Sequence, residues 1–108
     1  MTPKDIFEKQ IAERLSSDAA KAAVKDLDAV YQFHITGDDG GDWYIDCRDG
    51  TVNQGTDDDA DCTITVADED FVNLVTGATP GPQLFMMGKL QIAGNMSLAM
   101  KLSQVLGT

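Results

Sequence analysis

The chain has 108 residues, 43% of them hydrophobic and 24% charged, which is the size and composition of one globular domain with a single core. Its 18 acidic and 8 basic residues give a formal net charge of −10. This balance argues against nucleic acid as a ligand, because phosphate binding needs clusters of Lys and Arg, and it predicts weak or transient membrane contact at most. No apolar run is long enough to span a bilayer and the first 20 residues are charged throughout, so we expect a single cytoplasmic domain over residues 1–108.

The first quarter of the chain predicts two helices. Pro3 opens the first helix, in the first turn where its missing N–H costs nothing. The apolar stripe of this helix consists of Ile6, Phe7, Ile11 and Leu15. Ser16, Ser17 and Asp18 are candidate N-caps for a second, alanine-rich helix that continues to Val24.

The middle of the chain predicts three strands joined by tight turns. Apolar and polar residues alternate from Val30 to Thr36 and again over residues 43–48, on either side of the turn at residues 38–41. The pair Asp49-Gly50 indicates a type I′ hairpin leading into a third, shorter strand at Thr51–Gln54. The acidic run over residues 57–59 is interpreted as a solvated loop, since it lacks the Gly and the terminal Glu of a calcium loop.

The last part of the chain predicts two more strands and three helical segments. A fourth strand covers residues 62–66, and Asp68 is expected to cap the helix that follows and that stops at Gly77. A short helical turn at residues 84–87 precedes a fifth strand at residues 89–92. Asn95 then caps a last helix over residues 96–106. The order of elements is typical of an α+β fold, in which helices cover one face of a sheet.

Candidates for catalysis and metal binding are weak in this sequence. His34 is the only histidine, and it falls on the polar side of its strand, where it is expected to be solvated. Cys47 and Cys62 lie in strand patterns without CxxC spacing, so we interpret them as reduced thiols in the core. We therefore expect no catalytic residue, no metal and no cofactor. An enzyme that uses His34 or Asp46 is the least favoured interpretation.

The segment over residues 85–102, FMMGKLQIAGNMSLAMKL, holds four of the five methionines. The apolar residues of the last helix sweep roughly 220° of its circumference, whereas a helix on a sheet needs a stripe of about 100° or somewhat more. The excess surface requires another helix, a subunit or an apolar ligand. Flexible methionines suit either a core or an adaptable pocket, with Gln83 as the polar group that would orient a headgroup.

Three segments closely resemble the sterol carrier protein type 2 domain. They are WYIDCRDG at residues 43–50, ADCTITVADEDF at residues 60–71 and MGKLQIAGNMSLAMKL at residues 87–102. The resemblance implies a five-stranded, mostly antiparallel sheet, covered on one face by about five helices and enclosing an apolar tunnel. It also implies binding and transfer of fatty acids, fatty acyl-CoA, phospholipids or sterols, without a known catalytic step.

Carried over onto this sequence, the resemblance assigns the inward strand positions to the floor of the tunnel and the matching later segments to its wall and mouth. The expected lipid-binding residues are Phe33, Ile35, Trp43, Ile45, Ile64, Phe71, Val75, Gln83, Phe85, Met86, Leu90, Ile92, Met96, Met100, Leu102 and Val105. The expected partner is a long-chain lipid, with a lipid-metabolising enzyme as a second partner and a monomer or weak dimer as the state in solution. The alternative is an interaction or accessory module whose apolar face closes a dimer or docks to such an enzyme.

Overall fold

The computed structural model of this protein describes residues 2–101. Its N-terminal helix, α1, consists of an α-helical turn, a π-helical segment and a second α-helical turn, at Pro3–Asp5, Ile6–Ile11 and Ala12–Leu15. The predicted apolar stripe is confirmed, because all four of its residues are buried. The π-helical segment was not predicted. In an α-helix, residues five apart point about 140° away from each other, and the wider π turn brings Ile6 and Ile11 towards one face.

Side-chain caps begin the first two helices. The Thr2 hydroxyl accepts the backbone N–H of Asp5, and the Asp5 carboxylate accepts the backbone N–H of Thr2, each at 3.3 Å. This reciprocal capping box satisfies two donors that the first turn leaves free. Helix α2, Asp18–Lys25, begins after Ser17, whose hydroxyl accepts the Ala20 N–H at 3.1 Å. Ser17 is therefore the cap among the three candidates.

The five predicted strands are confirmed and form one sheet. Their bounds are Val30–Thr36 (β1), Gly41–Asp46 (β2), Thr51–Gln54 (β3), Cys62–Ala67 (β4) and Leu90–Gly94 (β5). Their spatial order is β3-β2-β1-β4-β5, with β1 and β4 parallel and every other pair antiparallel. The predicted α+β class and the mostly antiparallel sheet are thus confirmed, and β5 lies at one edge.

The hairpin between β2 and β3 is confirmed, but the predicted turn type is wrong. A type I′ turn needs positive φ at both central residues, and in this loop only Gly50 has a positive φ, of 69°. β2 ends at Asp46, and the Gly50 N–H donates to the Asp46 carbonyl at 2.8 Å, which closes a longer loop. Arg48 therefore lies in the loop and not in the strand, with its guanidinium 3.2 Å from the Asp46 carboxylate.

The sheet has one apolar face and one polar face, set by the strict alternation along each strand. In-register neighbours across β2, β1, β4 and β5 on the apolar face include Trp43, Phe33, Ile64 and Ile92. The opposite face carries polar neighbours such as Gln32, His34, Thr63, Thr65 and Gln91. The helices supply the other buried side chains of the core, so they cover the apolar face.

Helix α3, Asp68–Thr76, follows β4 directly. Asp68 was predicted to be the N-cap, but it is the first helical residue, and the N-cap is Ala67, which makes no side-chain cap. The Asp68 carboxylate instead accepts the backbone N–H groups of Glu69 at 2.8 Å and Asp39 at 3.1 Å, which ties the β1–β2 loop to the helix. Gly77 ends α3 as predicted, with a φ of 81° that favours glycine.

Two short helices flank the edge strand β5. Helix α4 spans Gly81–Met86, three residues earlier at its start than predicted, and it packs against β5. Helix α5 spans Met96–Met100 and packs against β4 and β5. Its predicted cap is confirmed, since the Asn95 side chain accepts the N–H groups of Ser97 and Leu98. Lys101 is the C-cap of α5, and residues 102–106 of the predicted helix lie outside the described residues.

Candidate functional site

Eight of the expected lipid-binding residues, including the whole predicted tunnel floor, lie in the buried core. This set consists of Phe33, Ile35, Trp43, Ile45, Ile64, Phe71, Val75 and Leu90, and each is at most 5% exposed. They come from β1, β2, β4, β5 and α3, so the alternation of each strand and the stripe of α3 direct them to one layer. Sequence reasoning placed these side chains on the correct face of the sheet.

The centre of this layer is filled by an aromatic cluster around Phe7 of α1. The Phe7 ring stacks between Trp43 and Phe71, with centroid distances of 5.1 and 4.9 Å and interplanar angles of 7° and 10°. It also meets the edge of Phe33 at 5.3 Å. Offset stacking and edge contacts of this kind add to the burial of the rings themselves. The stripe of α1 signalled that Phe7 is buried, but nothing in the sequence signalled that it occupies the middle of the expected tunnel.

The residues expected to form the wall and mouth lie at the surface. Met86 and Met100 are 86% and 85% exposed, and Phe85, Met87 and Met96 are 48%, 53% and 49% exposed. These five residues, which we call the methionine surface, come from α4, α5 and the residue after α4. The four described methionines are therefore not core residues. Leu102, which was expected in the same wall, and Val105, a further expected lipid-binding residue, lie outside the described residues.

Helix α5 divides its wide apolar arc between two environments. Leu98 and Ala99 are partly buried and pack against the core cluster, whereas Met96 and Met100 face away from it. At 100° per residue, Met96 and Met100 are each about 160° from Leu98 around the helix axis, so no single contact could cover all three. Within residues 96–100, the excess apolar surface predicted from the sequence is present, and it faces outward.

A buried hydroxyl fixes α5 to the sheet. The Tyr31 hydroxyl of β1 donates to the Leu98 carbonyl at 2.6 Å. Burial raises the pKa of Tyr31 far above its usual value, so the hydroxyl keeps its proton and remains a donor. Tyr31 was absent from the predicted site. A tyrosine at an inward strand position was the available signal, because a buried hydroxyl requires a partner.

Helix α4 is similarly split between the core and the surface. Leu84 is buried at 2% exposure, while its neighbour Phe85 is half exposed. Gln83 is exposed, and its amide N–H lies 3.9 Å from the Met87 sulfur, a weak contact that leaves the amide oxygen accessible. Its predicted role towards a headgroup therefore remains a prediction. Ile92 of β5 is partly buried against the core.

The polar face of the sheet holds the one histidine, in a pair with an aspartate. The His34 Nδ1 lies 2.6 Å from the Asp42 carboxylate, and both side chains are a little less than half exposed. Next to them, Gln32 is buried, but its amide is satisfied by the carbonyls of Trp43 and Gly55 and by the N–H of Asp57. Within residues 2–101, no three His, Cys, Asp or Glu side chains are grouped to hold a metal ion.

Both cysteines are buried and free, as predicted. Burial raises the pKa of the Cys47 thiol to about 12, and burial also raises the pKa of Cys62. The thiolate is the reactive form of cysteine, so both groups are inert near neutral pH. They belong to the core and take no part in the site.

An open cleft of about 450 Å³ lies between the β1–β2 loop, the start of α1 and the first turns of α3. It is bordered by Pro3, Asp38, Asp39, Asp68 and Glu69. Four carboxylates around one cleft repel an anionic headgroup and offer nothing to an acyl chain. The cleft is therefore acidic, whereas the methionine surface is apolar.

The charged residues are also distributed unevenly along the sequence. All 18 acidic residues lie within residues 1–70, which also hold 6 of the 8 basic residues and so carry a formal charge of −12. Residues 71–108 contain no Asp or Glu and two lysines, Lys89 and Lys101, which gives them a formal charge of +2. Both lysines are exposed. The methionine surface thus belongs to the part of the chain that has no acidic residue.

Comparison with known proteins identifies the family. A family model described as the SCP-2 sterol transfer family matches residues 8–107. The chain is 38% identical over 99 residues to hydroxysteroid dehydrogenase-like protein 2 of Bos taurus, covering 89% of this chain and 23% of that protein. It is also 38% identical over 102 residues to sterol carrier protein 2 of Homo sapiens, covering 90% of this chain and 18% of that protein. The chain spans about a fifth of the length of these curated relatives.

A solved structure agrees with this result. The solution structure of sterol carrier protein-2 from Aedes aegypti, in complex with the C16 fatty acid palmitate, matches with a TM-score of 0.72 and 30% identity. The match covers 94% of this chain and 91% of that one. The resemblance predicted from the sequence is confirmed, and so are the α+β class and the five-stranded sheet that it implied. The apolar tunnel stays a prediction, since rings packed around Phe7 fill that layer in the described residues. Within residues 2–101, no helix is long and apolar enough to cross a membrane.

Proposed function

Because this chain belongs to the SCP-2 sterol transfer family, we propose that it binds long-chain lipids and transfers them without a catalytic step of its own. The expected ligands are fatty acids and fatty acyl-CoA, with phospholipids or sterols as further candidates. One observation carries the proposal: the methionine surface exposes five large apolar side chains on the two helices that pack against β5. The palmitate complex of the mosquito relative supports the same class of ligand.

The proposed site lies between α4, α5 and the edge of the sheet. The partly buried side chains Ile92, Leu98 and Ala99 would contact the acyl chain first, because they border both the core and the methionine surface. Met86, Met96 and Met100 would close over the chain, since an unbranched thioether side chain can follow a variable apolar shape. The remaining floor and wall positions predicted from the sequence, with Leu102, Val105 and Gln83, complete the proposed site.

Burial of the acyl chain is sufficient to explain useful affinity. Removing one CH₂ group from water contributes about 0.8 kcal/mol, so about ten buried groups correspond to a dissociation constant near the micromolar range. Such binding needs no specific polar contact. We therefore expect broad selectivity, with affinity that rises with chain length until the available space is filled.

Titration with a fluorescent long-chain fatty acid tests this proposal. We expect saturable binding at micromolar concentration, which the Met100→Glu variant abolishes because a carboxylate cannot be desolvated against an acyl chain. Ala22→Glu, at an exposed position of α2, adds the same charge far from the proposed site and should bind like the unmodified protein. Absence of saturable binding to the unmodified protein would overturn the proposal, and equal loss in the two variants would move the site elsewhere.

The absence of a catalytic step is a separate part of the proposal. His34 and Asp42 pair on the polar face of the sheet, on the side away from the helices and the methionine surface. Neither a bound acyl chain nor an ester would reach them from the proposed site. Recovery of unchanged lipid after prolonged incubation is the expected result, and appearance of a hydrolysed or oxidised product would contradict it. The buried free thiols support an intracellular setting, because such pairs persist as thiols in a reducing compartment.

A second candidate function is that of an accessory module. Its basis is that the chain matches only about a fifth of the length of its curated relatives, so in those proteins the domain is joined to other parts. In this case the methionine surface would close a dimer or dock to a lipid-metabolising enzyme. Light scattering would then show a mass that rises with concentration, and native mass spectrometry would find no retained lipid.

A further inference from the structure

We propose that the Tyr31 hydroxyl contacts the polar end of a bound lipid beneath α5 and selects lipids whose end group is a neutral hydroxyl. In this arrangement the lipid hydroxyl donates a hydrogen bond to the Tyr31 oxygen, while Tyr31 keeps its own hydrogen bond to the Leu98 carbonyl. The proposal rests on the proposed lipid binding, and it deepens that function by naming the end group that the site prefers.

The position of Tyr31 provides the first argument. Its hydroxyl lies 2.6 Å from the Leu98 carbonyl, and its side chain is fully buried. Leu98 packs against the core on the side of α5 opposite to Met96 and Met100. The Tyr31 hydroxyl therefore lies between the sheet and the helix that carries these two exposed methionines. A polar group at this place can meet the end group of a lipid that lies between α4, α5 and β5.

The apolar face of the sheet is low between Tyr31 and the β5 edge. Tyr31 of β1, Cys62 of β4 and Gly94 of β5 lie side by side in register. Cys62 and Gly94 are the smallest residues on this face of their strands, whose other members are Ile, Leu and Val. Ile92, which is expected to contact the lipid first, is only about 7 Å from Gly94 along β5. A lipid chain that contacts Ile92 can therefore place its polar end near Tyr31.

The Tyr31 oxygen has the capacity to accept a hydrogen bond. Within the described residues, its only hydrogen bond is the one that its O–H donates to the Leu98 carbonyl. A phenolic oxygen can also accept, and buried polar atoms are stabilised when their hydrogen-bonding capacity is used. The Leu98 carbonyl also accepts the Lys101 N–H at 3.0 Å, so the end of α5 keeps its own bonding. A lipid hydroxyl would therefore add a hydrogen bond without breaking one.

The surroundings of Tyr31 favour a neutral end group over a carboxylate. Burial raises the pKa of Tyr31, and the other groups that raise it are the Cys47 and Cys62 thiols, which are protonated at neutral pH. No described lysine or arginine is among the groups that affect Tyr31. A carboxylate beneath α5 would lose its hydration without gaining a counter-charge. The carboxylate would also find the Tyr31 proton already engaged by Leu98.

Displacement of a fluorescent fatty acid by three ligands of equal chain length tests the proposal. 1-Hexadecanol carries the hydroxyl, 1-methoxyhexadecane carries an ether oxygen that cannot donate, and palmitate carries a carboxylate. We expect the unmodified protein to prefer the alcohol to the ether by about three- to tenfold. Tyr31→Phe should remove this preference and leave the affinities for the ether and palmitate within about twofold. The matched variant Tyr44→Phe, on the polar face of the sheet, should keep the preference.

The comparison of alcohol and ether separates contact with the lipid from a structural role. If Tyr31 only held α5 in place, Tyr31→Phe would change the affinities for all three ligands by the same factor, and that result would overturn the proposal. Retention of the preference in Tyr31→Phe, or equal binding of alcohol and ether by the unmodified protein, would also overturn it. In these cases saturable binding of palmitate would still support the proposed lipid binding. Failure of every ligand to bind would overturn both.

Discussion

Helices α1 and α5 lie on the same face of the sheet, yet their apolar side chains differ in burial. α1 buries its whole apolar stripe, with Phe7 stacked between two other rings in the centre of the core. α5 places two apolar side chains against the core and leaves Met96 and Met100 in water. The same layer of the fold therefore contains a part that stabilises the domain and a part that is available to a ligand.

The composition of the two regions fits this division of roles. The stabilising region uses aromatic rings, which are rigid and gain from close contact. The exposed region uses methionines, which lose little when they re-pack against a changing surface. It also lies in the part of the chain without acidic residues. Substitutions in the aromatic cluster should therefore lower the stability of the domain. Substitutions in the methionine surface should weaken lipid binding and leave stability nearly unchanged.

The largest expected effect on stability is that of Phe7→Ala. Removing a fully buried ring from the aromatic cluster should lower the free energy of unfolding by about 3–5 kcal/mol. Urea unfolding followed by tryptophan fluorescence measures the change directly, since Phe7 stacks on Trp43. Phe85→Ala removes the same ring from a half-exposed position and should cost less than about 1 kcal/mol. Equal losses in the two variants would contradict the distinction between the two regions.

The second effect concerns the attachment of α5 to the sheet. Tyr31→Phe removes the hydrogen bond to the Leu98 carbonyl and should lower the free energy of unfolding by about 1–2 kcal/mol. Amide hydrogen exchange of this variant should show that α5 opens faster than β1 and β2. Tyr44→Phe, on the polar face of the sheet, is the control and should change stability by less than about 0.5 kcal/mol.

The third effect is a loss of stability in alkaline solution. The Cys47 thiol has a pKa of about 12 in the folded protein against an ordinary value of 9, so the folded state binds more protons between these values. The contribution of the protonated Cys47 thiol to the free energy of unfolding is fully present below pH 9 and is lost as pH rises from 9 towards 12. The raised pKa values of Cys62 and Tyr31 act in the same direction.

Urea unfolding above pH 9 should show a decline of about 1 kcal/mol per pH unit from Cys47, and Cys47→Ala should reduce that decline. At neutral pH, a thiol reagent should modify both cysteines only as fast as the protein unfolds. Rapid modification of Cys47 or Cys62 in the folded protein would show that the core around them opens more easily than the packing indicates.

The smallest effect on stability is expected from Met100→Glu. Because Met100 is 85% exposed, its replacement should change the free energy of unfolding by less than about 0.5 kcal/mol. The same substitution is expected to abolish binding of a fatty acid. Calorimetric unfolding and ligand titration of one preparation measure the two quantities together. A large loss of stability would place Met100 in the core, contrary to its position here.

The strands and the inward positions of their side chains could be predicted from sequence patterns. The turn type and one helix cap could not, because they depend on contacts that the local pattern does not contain. Alternation predicted the strands and the inward positions of residues such as Phe33 and Ile64, because a period of two leaves no other face available. The type I′ turn was wrong because φ at Asp49 depends on the length of the whole loop. The Asp68 cap was wrong because its carboxylate is engaged by a loop distant in sequence.

The site was less predictable than the fold. The apolar arc of α5 indicated an additional contact surface, but periodicity alone cannot tell a buried methionine from an exposed one. Which side of α5 faces the core is decided partly by Tyr31, a residue 67 positions earlier in the chain. The central position of Phe7 likewise depends on the π-helical turn of α1, for which the sequence has no clear signal.

The central claim is that the methionine surface contacts the lipid, and methyl spectra of protein labelled with ¹³C at the methionine methyl groups test it most directly. On addition of palmitate, we expect saturable shifts of the signals of Met86, Met87, Met96 and Met100. Unchanged signals of all four methionines, while a fluorescent fatty acid binds saturably to the same preparation, would contradict the claim.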